Sequence, residues 1–215
     1  MNGVTRLVGR FLLLFLITVA ALVPLWGTLG PHYTAAVSAL ARPILHVAES
    51  PHVTVLAVQN DELWVYRRVG EQEIAPFTFF DRYAFFAVVP LVALLIATPG
   101  LRWRRRLAVV AVALAGQLAV HAGYVVASTE LAYAELGLVP AASAAAGTLD
   151  VVQVIVRLLW EASPMLLWIA LTLGAWKRAW VDLRTREPVR ASAPQRNAHA
   201  GTKEQSVHLR EGRTT

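Results

Sequence analysis

The sequence predicts an all-α membrane protein with four transmembrane helices, both termini cytoplasmic, and a small extracytoplasmic helix and β-hairpin between helices one and two. Three observations lead there. The 215 residues are 56% hydrophobic, with a mean hydropathy of +0.51. The apolar residues gather into four runs, at about 11–29, 81–99, 107–127 and 152–175, each near the roughly 17 to 25 residues that a helix needs to cross a bilayer. Charge is divided between the two ends of those runs. A formal net charge of +6 and a pI near 10.3 by themselves fit nucleic-acid binding. So apolar a chain is not a soluble nucleic-acid-binding domain, and nucleic acid is excluded as a partner.

Taken in order, Arg6 and Arg10 precede "FLLLFLITVAALVPLWGTLG". This has the basic and apolar regions of a signal sequence, but the run is long and no A-x-A site follows it, so an uncleaved signal anchor is expected. Residues 30–80 form the extracytoplasmic insertion. "PHYTAAVSALARPILHVAES" has helical periodicity that Pro43 should end or kink, giving a helix along the membrane surface. "VTVLAVQNDELWVYRRV" contains two β-prone runs about Asn60-Asp61, a pair suited to a tight turn, and reads as a β-hairpin. A lone hairpin is marginal in water and needs a covering partner.

The second and third runs flank "ATPGLRWRRRLAVV", with Arg102, Arg104, Arg105 and Arg106 in a short loop. If the N-terminus, this loop and the C-terminal segment share one side, that side holds 15 of the 20 basic and 4 of the 14 acidic residues. The other side and the membrane keep 5 basic and 10 acidic ones. That asymmetry is the positive-inside pattern, so the four arginines read as a topology anchor, with anionic-lipid binding as an added role. Trp26, Trp103, Trp176 and Trp180 lie near helix ends, as interfacial tryptophans do. "STELAYAELGLVPAASAAAGTLD" is a short acidic outer connection. The four-helix domain is expected to occupy 1–180, and 181–215, polar and almost without aromatics, to be a disordered basic cytoplasmic tail.

Ionisable groups at membrane depth are the candidates for function, because each costs roughly 2.5 to 3.5 kcal/mol at the centre of an inserted helix. Gln117 and His121 are four apart on the third run, and Arg157 and Glu161 four apart on the fourth, so each pair shares a helix face. Both pairs lie about equally deep from the outer ends of their helices, and antiparallel neighbours would join them in one intramembrane polar cluster. It would serve either as interhelical glue or as a site for a partner. Asp81 and Arg82 read as a boundary pair, and Glu71 and Glu73 as a solvated pair. His32, His46 and His52 lack zinc spacing. No phosphate-binding glycine loop, G-x-S-x-G or H-E-x-x-H occurs, and there is no cysteine. No catalytic, metal-binding or cofactor-binding residue is expected, nor an enzyme.

The order of these features, with "FFAVVPLVALLIATPGLRWRRRL" and its P-L-x-x-A-L-L-x-A-T-P core, "LAYAELGLVPAA" and "SPMLLWIAL", resembles the small membrane proteins that accompany H-class exosortases. The resemblance spans residues 6–180. It implies a bacterial inner-membrane accessory to a membrane-embedded sorting enzyme that processes C-terminally tagged exported proteins. Exosortases use a cysteine, which this chain lacks, so the resemblance implies a helper that binds the enzyme or its substrates. A small homo-oligomeric transporter or channel subunit and a structural envelope component are the alternative expectations.

Overall fold

The structure, a computed structural model, describes residues 3–48, 54–59, 62–69, 72–73, 78–80, 83–135 and 146–191. Its elements are α1 (Gly3–Ala48), β1 (Thr54–Gln59), β2 (Glu62–Val69), β3 (Gln72–Glu73), β4 (Thr78–Phe80), α2 (Val88–Ala97), α3 (Trp103–Glu135) and α4 (Ala146–Ala191). Three helical stretches, Gly3–Val47, Trp103–Glu135 and Val151–Asp182, are long and apolar enough to cross a membrane, and Val88–Ala97 is a shorter apolar helix. Within the most apolar windows of those three, only 0%, 28% and 11% of residues are buried by protein. Leu12, Leu13, Leu16 and Ile17 on α1 and Val154, Ile155, Leu158 and Leu159 on α4 all point outward. So large an apolar surface is suited to lipid, and the chain is a membrane-embedded protein.

The expected surface helix is not a separate element. It continues the first apolar helix, and Pro24, Pro31 and Pro43 all lie inside α1. The reason is tertiary. Val37, Ala41 and Leu45 are fully buried and form one core with Leu56, Leu63, Val65 and Phe80 of the sheet. Pro43 itself is exposed, as is Ala39, whose carbonyl loses its usual donor. The helix therefore keeps its packed side, and the interruption falls where solvent can satisfy the freed carbonyl. At about 69 Å, α1 is roughly twice as long as a bilayer core is thick, and its second half backs the sheet.

The hairpin forms where the sequence places it. β1 pairs antiparallel with β2 from Thr54↔Arg67 to Gln59↔Glu62, leaving two residues for the turn. β3 and β4 pair with β2 on its other edge. Cross-strand partners share a face, so Thr54, Leu56, Leu63, Val65 and Arg67 look toward the helices. Ala57, Val55, Trp64 and Tyr66 form the opposite face. The covering partner that a hairpin needs is α1, with the C-terminal end of α3. Arg42 Nη2 donates to Leu56 O at 3.2 Å, Thr54 Oγ1 and Tyr133 Oη lie 3.0 Å apart, and Arg67 sits 4.5 Å over the Tyr133 ring.

After the sheet, Tyr83–Ala87 coil in tight turns, with Phe86 N donating to Tyr83 O at 3.0 Å and Val89 N to Phe86 O at 2.9 Å. They lead into α2, where Pro90 occupies the first turn and its missing N–H leaves no helical bond unmade. Val88, Val89, Leu91, Ala93, Leu95 and Ala97 are buried, so α2 is the central helix of the bundle. α1 and α3 run one way, α2 and α4 the other. Phe11 meets Trp176 at 5.3 Å at one end, and Tyr124 stacks on Trp160 at 4.7 Å toward the other. α4 remains helical to Ala191, beyond the boundary expected at 180. The proposed tail from residue 192, the outer connection at 136–145, and Glu71, Asp81, Arg82 and His52 lie outside the described residues.

Candidate functional site

Gln117 and His121 come together, fully buried, but Arg157 and Glu161 do not join them. The chain of polar groups is instead Tyr33 of α1, His121 and Gln117 of α3, and Ser163 of α4. Tyr33 Oη lies 3.1 Å from His121 Nδ1. Gln117 Nε2 donates to His121 Nε2 at 2.7 Å and to Ser163 Oγ at 2.9 Å. Each amide hydrogen thus has an acceptor, and with His121 Nε2 accepting, the proton of the neutral ring is on Nδ1 and donates to Tyr33 Oη.

Ser163 is placed by its neighbour. Pro164 lacks the N–H that would donate to Trp160 O, and Ser163 Oγ donates there instead, at 2.9 Å. A helix break is thereby repaired by the residue that also accepts from α3. Aromatic rings enclose the imidazole: Phe85 at 5.1 Å and Tyr33 at 5.7 Å between ring centres. The network links three helices with neutral groups. Ser163 and His121 are connected through Gln117 and do not touch, so this is not the paired nucleophile and base of a hydrolase.

Arg157 Nε donates to Glu161 Oε1 at 2.9 Å, with side chains 72% and 50% exposed. The sequence places this pair at the right depth but on the wrong face. Ser163 is two residues past Glu161, about 200° around the helix. The pair neutralises itself within one helix and needs no partner from α3. Arg157 lines a cleft of about 520 Å³ with Tyr124, Glu135, Gln153 and Trp160. An apolar groove of about 550 Å³ continues along the α3–α4 seam past Gly123, Ala127, Leu166 and Ala170, sharing Tyr124, Val156 and Trp160 with the cleft.

At the other end, the expected arginine loop is only a short turn, because α3 begins at Trp103 and Arg104, Arg105 and Arg106 stand in its first turn; the four arginines divide into two roles. Arg102, Arg104 and Arg105 are exposed. Arg106 is half-buried and donates from Nη2 to Thr98 O at 3.1 Å, satisfying a terminal carbonyl of α2. Among the described residues, no three or more His, Cys, Asp or Glu side chains are grouped to hold a metal. Tyr33 and Ser163 are the members that sequence reading missed. The Ser163-Pro164 pair is a usable signal for the second, because a proline in an apolar helix leaves a carbonyl in need of a donor.

Compared with family models, curated proteins and solved structures, the chain matches none.

Proposed function

We propose that this protein is a non-catalytic accessory of an exosortase-type sorting system in the bacterial inner membrane, where it engages the sorting enzyme or the C-terminal helices of its exported substrates. The observation that carries this reading is the outer sheet. It is mounted on α1 and Tyr133 through buried side chains, and it turns Trp64 and Tyr66 to the face away from the bundle. Aromatic side chains on a fixed surface are what a protein partner at that level would grip. The seam groove beside Gly123 offers a second contact at membrane depth. The order of features along residues 6–180, which resembles that of exosortase-associated membrane proteins, supports the reading, and the lack of cysteine fits a helper better than the enzyme.

The same reading has four crossings with both ends cytoplasmic. α2 alone rises only about 15 Å, but with the turns Tyr83–Ala87 before it the rod reaches about 25 Å, close to the hydrocarbon thickness. The charge division between the two sides supports that orientation.

One observation favours the transporter or channel alternative: the buried polar chain from Tyr33 to Ser163. Against it, the chain is neutral and occupies one level of the bundle, whereas α2 below it is packed with Leu91 and Leu95. Photo-crosslinkers replacing Trp64 and Gly123 in cells test the proposal. It expects attachment to a multi-spanning cysteine enzyme or to exported proteins ending in an apolar helix. Attachment only to further copies of this chain would transfer the assignment to a homo-oligomer.

A further inference from the structure

At the end where α1 begins, α2 ends and α3 starts, a separate cleft of about 380 Å³ lies between α1, the α2–α3 turn and α4. Its apolar wall is Leu7, Phe11 and Leu14, four and three residues apart and so on one face of α1. Its charged wall is Arg10, Arg106 and Asp182. Two guanidinium groups against one carboxylate leave a formal charge of +1. Among the described residues neither arginine is ion-paired.

Arg106 is held in place. Its Nη2 bonds Thr98 O, and Thr98 Oγ1 in turn donates to Leu94 O at 2.7 Å and accepts from Trp168 Nε1 at 3.0 Å. The Arg106 Nε hydrogen is buried and has no acceptor. A buried, charged donor without an acceptor is costly, and an arginine presents its N–H groups in a fixed fork suited to phosphate. The level is also defined. The apolar run of α1 starts at Phe11 and that of α2 stops at Ala97, so the guanidinium groups stand where the headgroups of a bilayer meet its hydrocarbon.

We infer that this cleft binds one anionic phospholipid, its phosphodiester between Arg10 and Arg106, beside Leu7, and one acyl chain running inward along Phe11 and Leu14. The single negative charge of a phosphodiester matches the +1 of the charged wall, and the apolar wall accounts for a lipid over a free phosphate. The inference rests on membrane embedding and is independent of the sorting reading.

The test uses the full chain in nanodiscs of phosphatidylcholine with or without phosphatidylglycerol, counting retained lipid by native mass spectrometry. The wild type is expected to retain one phosphatidylglycerol per chain. Arg10 makes no side-chain hydrogen bond among the described residues, so Arg10→Gln leaves the fold intact; it is expected to lower the preference for phosphatidylglycerol about tenfold. The exposed pair Arg104→Gln/Arg105→Gln should leave it unchanged. A loss in Arg104→Gln/Arg105→Gln as large as or larger than that in Arg10→Gln would mean a diffuse surface field and overturn the site, since that field gives every basic residue a similar weight. Displacement of the lipid by inorganic phosphate would overturn the lipid assignment. Should Arg10→Gln unfold in phosphatidylcholine, Leu7→Glu replaces it: loss of phosphatidylglycerol supports the cleft, and retention contradicts it.

Discussion

Gln117 is the residue on which three helices depend, because its amide alone reaches both His121 and Ser163. Gln117→Leu strands two buried polar groups, and we expect it to cost about 0.6 to 2 kcal/mol, read by denaturing-detergent titration. Adding Ser163→Ala should cost less than the sum of the two single changes, since the partner already lost cannot be lost again. Full additivity would show that the hydrogen bond contributes nothing. Arg157→Ala should lower the amount of protein inserted, because Glu161 is left unpaired, and Glu161→Gln should restore it. Failure of that rescue would assign Arg157 a role beyond charge balance. Gln117 and His121 were legible in the sequence, since polar groups four apart in an apolar run share a face. Tyr33 and Ser163 were not, because each acquires its meaning from a helix distant in sequence. Arg157 and Glu161 misled for a physical reason: the cost of charge at membrane depth demands a partner, and each supplies it to the other.

Among the elements, the turn joining α2 to α3 is the most constrained by its backbone. Gly100 has φ +75, and a Cβ there would lie 3.3 Å from Ala175 O of α4. Gly100→Ala should destabilise by about 1 to 2 kcal/mol through the left-handed conformation alone, measured as a lowered unfolding midpoint. An unchanged midpoint would mean that the turn relaxes away from α4. The two strands of the hairpin were readable because their signal is local: β-prone runs on either side of Asn60-Asp61, which pair as far as Gln59↔Glu62. The continuity of α1 was not readable. A proline penalty is local, whereas the burial of Val37, Ala41 and Leu45 against the sheet that overrides it is tertiary. The shortness of α2 has the same character. Its run is apolar throughout, and nothing in hydropathy separates the tight turns at Tyr83–Ala87 from the helix after them.

For the whole molecule, the central claim is a bundle that crosses the membrane four times, holding its sheet on one side and its arginine loop and both ends on the other. The absence of cysteine makes this directly measurable, since a single introduced thiol is the only reactive one. Gln59→Cys at the exposed end of β1, Arg104→Cys in the first turn of α3 and Lys177→Cys on α4 occupy exposed positions. Each would be treated with a membrane-impermeant maleimide in sealed spheroplasts and again after lysis. Gln59→Cys is expected to react in sealed spheroplasts, and Arg104→Cys and Lys177→Cys only after lysis. Reaction of Gln59→Cys and Arg104→Cys under the same condition would show that α2 does not cross, and would contradict the four-crossing account.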